Sequence, residues 1–266
     1  MITKMMRWLA TRVWMVAAML LGGQRALAAG PDEWATAQRE GVRYNCWEIQ
    51  EGQGAHVARK VKQLAGGPQT LEWEFENEVV VHDGKPDLTQ PAAARTTTVI
   101  HETARVAVSA RGTDANVVDV TLRQRAAGKP VKILNYTYSG FSWRGPTAWN
   151  KDNSRLLTSE GLGRDEANGK PARWVLVSGP RPGGSASVLV MSAAADLAGN
   201  PERLRVWDSK MGNGMPFVNF NPVLGKPLML EDAQPAVAHR KYRVVAADRL
   251  LDAAAAETEW RQWLGK

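Results

Sequence analysis

Residue types that suit a binding site concentrate between Tyr136 and Trp149, in YTYSGFSWRGPTAW. Five rings (Tyr136, Tyr138, Phe141, Trp143 and Trp149) surround one formal charge, Arg144. Flat aromatic faces beside a guanidinium fork suit a polyol or an anionic group carried on one. The same rings could cap a hydrophobic core at the end of a sheet, and both readings stay open. Among the four histidines, His56 is the best placed to act as acid or base, because it follows the Gly52/Gly54 turn. A lone histidine is nonetheless more often a surface or satisfied core residue. His56, His82, His101 and His239 show no metal-ligand spacing, so no metal site is expected. GxSxG, HExxH, P-loop and strand–helix GxGxxG motifs are absent, so no cofactor is expected and no reaction is named.

Two further groups of charges carry chemistry. Asp152, Glu160, Asp165 and Glu166 fall in a long polar loop; a glycosidase-like acid–base pair there is less favoured than solvated loop charge. The run His239-Arg-Lys-Tyr-Arg243 alternates with strand period. It puts Arg240 and Tyr242 on one face and Lys241 and Arg243 on the other. One of these faces feeds an anion site, or the run is an ordinary exposed strand.

The elements that must position these residues read as strands. Leu71, Trp73 and Phe75 alternate with Glu72, Glu74 and Glu76, the pattern of a half-solvated antiparallel strand. Asp83-Gly84 marks a reversal. Val118, Val120 and Leu122 alternate with Asp119, Thr121 and Arg123, and apolar runs recur at 131–134, 174–177, 188–191, 217–220, 228–230 and 240–246. The segment 147–170 reads as loop. Gly140 and Gly145-Pro146 supply turn chemistry within the aromatic stretch. Only the stretch from about Arg249 to Leu264 reads as a helix, with Asp248 as N-cap and Gly265 as stop. Strands spaced by turn signals with one terminal helix predict an all-β, antiparallel β-sandwich, not α/β.

The first 28 residues read as a secretory signal peptide: basic Lys4 and Arg7, an apolar stretch from Trp8 to Leu21, and Ala26-Leu27-Ala28 for cleavage. That stretch is too short and interrupted to span a membrane. Residues 29–45 read as a lead-in and 46–266 as one sandwich domain, in the periplasm or secreted. Of the seven net positive charges, Lys4, Arg7, Arg12 and Arg25 account for four, leaving about +3 after cleavage. A balance that mild, without a basic run, argues against a nucleic-acid partner. The single cysteine, Cys46, excludes an internal disulfide.

The order of several short motifs points to a family. Tyr138-Ser-Gly-Phe-Ser-Trp-Arg144, Ala172-Arg-Trp-Val175, Ser178-Gly-Pro180, Asn200-Pro201, Phe220-Asn-Pro222 and Tyr242-Arg-Val-Val245 precede a tryptophan-containing helix. Together they resemble the secreted bacterial β-sandwich proteins labelled "methane oxygenase PmoA family", over roughly Asn45 to Leu264. Those are more distantly similar to the supersandwich of galactose mutarotase-like proteins and are associated with carbohydrate use. The resemblance implies a saccharide ligand and a pocket shared by His56, Arg144, Trp174 and Asn221. In it His56 is the acid or base and Arg144 grips a carboxylate or hydroxyl pair. Trp174 or Trp143 would stack on a sugar face; Trp149 from the aromatic stretch and Arg243 from the alternating run are further substrate-binding candidates read from the residues themselves. Family members begin with strands carrying a His-Pro-His-His-type element that this chain lacks. The departure implies an open sheet edge through which a second copy could pair. A non-catalytic structural sandwich whose tryptophans are core is the alternative.

Overall fold

In the computed structural model, residues 36–40, 42–45, 53–82, 96–193, 201–232 and 238–265 are described. The signal-peptide reading, Trp34, Cys46, Trp47, the Asp83-Gly84 turn and Asn200 lie outside them.

Alternation of apolar and polar residues makes the longest strands, each able to cover a core with one face and meet water with the other. These are β3 (Gly54–Gly66), β4 (Thr70–His82), β5 (Thr96–Arg111), β6 (Ala115–Ala126) and β15 (Ala238–Ala247). With β9 (Arg155–Thr158), β10 (Trp174–Arg181) and β11 (Gly184–Ser192) they form an eight-stranded sheet in the order β3-β4-β5-β6-β15-β11-β10-β9. Its neighbours all pair antiparallel. Two smaller antiparallel sheets cover one of its faces. One is β12 (Arg203–Val206), β13 (Phe217–Asn221) and β8 (Phe141–Arg144) in the order β12-β13-β8. The other runs β14 (Leu228–Leu230), β7 (Val131–Ile133), β1 (Thr36–Arg39) and β2 (Val42–Asn45). The fold is therefore the expected all-β antiparallel sandwich with one C-terminal helix, α1 (Ala253–Leu264).

Two apolar clusters fill the covered face. Phe75, Val106, Leu122 and Tyr242 of the large sheet meet Phe141, Trp143, Val218 and Phe220 of the three-stranded one. Val79, Ile100 and Ala126 meet Val131, Ile133 and Leu230 of the four-stranded one. Between them lies a buried polar seam of Asn77, Glu102, Gln124, Arg240 and Glu202. On the opposite face, Leu176, Leu189, Met191 and Val245 pack under Ala256 of α1, with Leu251, Trp260 and Trp263 beside them. Beyond α1, no element among the described residues covers that outer face over β4, β5, β6 and β15.

Local differences from the sequence reading have plain causes. The helix starts at Ala253 because Asp252, in extended backbone, accepts from Ala255 N at 2.8 Å. Asp248 instead gives its own N–H to the Asp114 carbonyl, so it caps nothing. Gly265, in the left-handed region at φ 68°, ends the helix as expected. β9 sits inside the segment read as loop, and the segment read as lead-in supplies β1 and β2, which pair with each other and with β7.

α1 is tied to the sheet by Glu257. Its carboxylate accepts from the Trp174 indole N–H at 2.9 Å, Arg173 at 3.2 Å and Arg261 at 2.9 Å. The Trp174 hydrogen bond above all holds its pKa down, from an ordinary 4.5 to about 2. A depressed carboxylate stabilises the fold above its unfolded pKa and stops doing so as pH falls through the folded one. Helix docking, followed by near-ultraviolet circular dichroism, should therefore be full above about pH 4.5 and weaken as pH falls from there toward 2. Glu257→Gln should lose most of that acid dependence; an unchanged acid profile would contradict the assignment.

Candidate functional site

The open outer face is built by four strands whose outward positions are almost all polar. β4 presents Glu72, Glu74, Glu76 and Glu78; β5 presents His101, Thr103, Arg105 and Ala107; β6 presents Asp119, Thr121, Arg123 and Arg125; β15 presents His239, Lys241 and Arg243. Where the side chains shorten to Ala107, Thr103 and Thr121, a trough of about 370 Å³ opens, rimmed by Glu72, Arg105, Arg123 and Lys241 among others. A second hollow of about 370 Å³ continues it toward β3 and shares Thr103 and Arg123.

The charges along this trough are sorted. Three of the four on β4 find partners: Glu74 with Arg105 at 2.6 Å, Glu76 with Lys60 at 3.2 Å, and Glu78 with Arg59 at 2.9 Å. Arg243 grips Asp119 with two hydrogen bonds, at 2.7 and 2.8 Å. Arg123, His239 and Lys241 have no ion-pair partner among the described residues. Yet His239 stands directly opposite Arg123 across the β6–β15 ladder, and Lys241 opposite Thr121. Like charges in that relation repel. Partial burial first, then Arg123 and Lys241, hold the His239 pKa below the ordinary imidazole value. At neutral pH His239 is thus a neutral donor and acceptor between two fixed cations, with the Thr103 and Thr121 hydroxyls on the trough floor. That is a constellation for an oxyanion beside hydroxyl groups.

Glu102, on the covered side of β5, makes a second unit. It is 3% exposed and accepts from Asn77 at 2.8 Å and Gln124 at 2.6 Å, with His56 Nε2 at 3.2 Å. Burial works to raise its pKa, but the His56, Asn77 and Gln124 contacts outweigh it and hold the value low. His56 itself is one-third exposed at the edge strand, so a buried carboxylate orients a reachable imidazole.

Arg144 does not share a cavity with His56. It lies exposed at the end of β8, its guanidinium 4.7 Å from the Trp207 ring centre and 5.6 Å from that of Phe217. The expected ring of water-facing indoles does not form. Trp143, Trp149 and Trp174 are 8%, 4% and 3% exposed. Trp149 packs against Gly179 and gives its N–H to the Pro180 carbonyl at 2.8 Å. Trp174 lies beneath α1, on the other side of the sheet from Trp143. Asn221 is buried; its amide holds the Tyr136 and Thr137 carbonyls at 2.9 and 3.0 Å, and it lines a different cleft. Arg243 alone stands beside the trough, joining Asp119 to Glu259 and lying 5.4 Å from the Trp263 ring. Arg123, the centre of the cationic group, was not singled out by its sequence context. Only the outward parity of 119, 121 and 123 hinted at it, because its partner positions on β15 lie far along the chain.

The chain belongs to a family of unknown function, DUF6807. The family model matches residues 34–261, so it takes in β1 and β2 as well as the whole large sheet. No curated protein matches the chain. The DUF6807 span contains every residue of the trough and both histidine-bearing units described above. No helix among the described residues is long and apolar enough to cross a membrane.

Proposed function

We propose that the protein binds an acidic saccharide across the outer face of the large sheet, outside the cytoplasm. Arg123 and Lys241 hold a ligand carboxylate or sulfate, neutral His239 and the two threonines hydrogen-bond its hydroxyls, and the β4 carboxylates face the sugars beyond. The observation that carries the reading is the pair of cations Arg123 and Lys241 flanking a neutral His239, without ion-pair partners among the described residues, over a floor of small side chains. Repulsion between two such cations is disfavoured in an isolated sheet and is relieved by an anion. The basic, apolar and small-residue leader supports export. The motif order shared with the proteins labelled "methane oxygenase PmoA family", and through them with mutarotase-like sandwiches, supports a carbohydrate as ligand; both likenesses are part of this proposal.

Titration calorimetry with polygalacturonate oligomers and their neutral galactan counterparts tests it. The acidic series should bind and the neutral series should not. Arg123→Gln/Lys241→Gln should weaken binding at least tenfold, since a charge-assisted hydrogen bond contributes about 1.5–3 kcal/mol. Affinity should rise as pH is lowered through the depressed His239 pKa, while the ligand carboxylates stay ionised. Equal binding of both series, or wild-type affinity in the double variant, would defeat the proposal.

A further inference from the structure

On the other side of the large sheet, where the two covering sheets meet, lies a wider cleft of about 600 Å³. Its walls are the connection from β7 to β8, including Asn135 and Thr137, and the connection from β13 to β14, including Pro222 and Gly225. Pro201, Glu202 and the start of β12 close one end. We infer that this cleft is a separate binding site for a small sugar bearing one carboxylate or phosphate group.

Three observations lead there. Arg203 and Arg205 line it with no ion-pair partner among the described residues, and Glu202, the carboxylate of the lining, does not offset them. Its carboxylate is 2% exposed and spent inward, with Arg240 Nε at 3.3 Å, Tyr242 at 3.1 Å and Ser192 at 3.2 Å. The cleft therefore presents an excess of positive charge to whatever enters it, in a concave setting that strengthens its field.

The walls are also preorganised. Asn221 holds the Tyr136 and Thr137 carbonyls. Asn135 Oδ1 accepts from Gly225 N at 3.0 Å, bridging one connection to the other. Asn168 Oδ1 accepts from both Arg205 at 3.0 Å and Val206 N at 3.2 Å. Each amide stitches one wall to another, so the space is held open and a ligand pays little to order it. Finally, Arg205 is held in place as well as charged. It donates to the Tyr138 hydroxyl at 3.2 Å and lies 5.2 Å from that ring's centre. A guanidinium fixed this way loses little freedom on meeting an oxyanion. The volume suits a monosaccharide or disaccharide, and exposed Asn135 and Thr137 offer polar groups to its hydroxyls.

The site is tested by calorimetric titration of the full chain with glucuronate, glucose 6-phosphate and glucose, with and without saturating polygalacturonate. At least one of the two acids should bind ten times more tightly than glucose, and their relative affinities identify the carboxylate or the phosphate as the preferred group. Arg203→Gln/Lys226→Gln, both in the cleft lining, should weaken that binding at least tenfold while melting as the wild type does. Polygalacturonate should not displace the monomer. If the polymer does not bind at all, the outer-face reading fails while this titration still reads the cleft. No preference for the acids over glucose, wild-type affinity in the double variant, or displacement by the polymer would each overturn the inference.

Discussion

Arg240→Met should destabilise the protein by about 3–5 kcal/mol, the range for removing one partner of a buried ion pair, and lower its melting temperature by about 10 °C. Arg240 is 6% exposed and Glu202 2%. Arg240 Nε lies 3.3 Å from Glu202 Oε1, and its Nη1 donates to Gln124 Oε1 at 2.9 Å. Gln124 in turn donates to Glu102, so the polar seam between the two apolar clusters is held as one unit. Methionine fills a similar space but leaves the Glu202 carboxylate without its cation in a low-dielectric interior. Tyr242 and Ser192 still hydrogen-bond it, which is why the effect is expected within that range and not above it. Glu202→Leu added to Arg240→Met should restore much of the loss, because a matched apolar pair avoids the desolvation penalty altogether. Urea unfolding of the wild type, the single and the double variants measures this cycle. A single variant within 1 kcal/mol of wild type would mean that the seam is hydrated and that the charge is not paired as described.

The same seam shows why some of the site was legible in the sequence and some was not. Alternation at 71–76 placed the glutamates outward, as they stand, and alternation at 239–243 put Arg240 and Tyr242 on one face without telling which; the structure makes it the buried face. What alternation cannot supply is register. Arg123 faces His239 only because β6 pairs with β15 in one particular alignment, and no local pattern links residues so far apart along the chain. The aromatic stretch misled for a different reason. β8 is covered on both faces, so Phe141, Ser142 and Trp143 are all buried, and ring types that suit a sugar face suit a core equally well. Tryptophan count therefore carried little information about ligands, whereas four of the half-exposed rings, Tyr138, Trp207, Trp260 and Trp263, lie against arginines. β1, β2 and β9 escaped because TAQR, VRYN and RLLT are each at least half polar, without the apolar run that marks the still shorter β7 and β14.

The edge of the large sheet illustrates a similar limit. Among the described residues, β3 is a thirteen-residue strand at the end of the sheet order. It carries Arg59, Lys60 and Lys62, and its pairing with β4 slips between Ala58 and Lys60 and between Gln63 and Ala65. Bulges and lysines are the devices by which edges discourage strand addition. Open edge and protected edge look alike in composition, and only the register irregularities separate them.

Gly140 gives the second large effect. It sits at φ +89°, in the turn leading into β8, and a Cβ there would overlap the Phe220 carbonyl and the Pro222 ring. Alanine would combine backbone strain at positive φ with overpacking against a buried strand end, together about 2–5 kcal/mol. Gly128 provides the comparison, since it also has positive φ, at +77°, but has nothing within 4 Å of the added Cβ. Gly128→Ala should therefore show only the strain, about 1 kcal/mol, and the difference between the two melting curves isolates the clash. The consequence extends to the cleft. Relief of the Gly140 overlap moves Phe220 and Pro222, and between them Asn221, whose amide holds the Tyr136 and Thr137 carbonyls of the facing wall. At a temperature where Gly140→Ala is still folded, binding of the acidic monosaccharide should be lost in it and kept in Gly128→Ala, while polygalacturonate binding on the outer face persists in both. Equal stability of the two alanine variants would show that the turn before β8 yields freely, and the cleft could then not be regarded as preorganised.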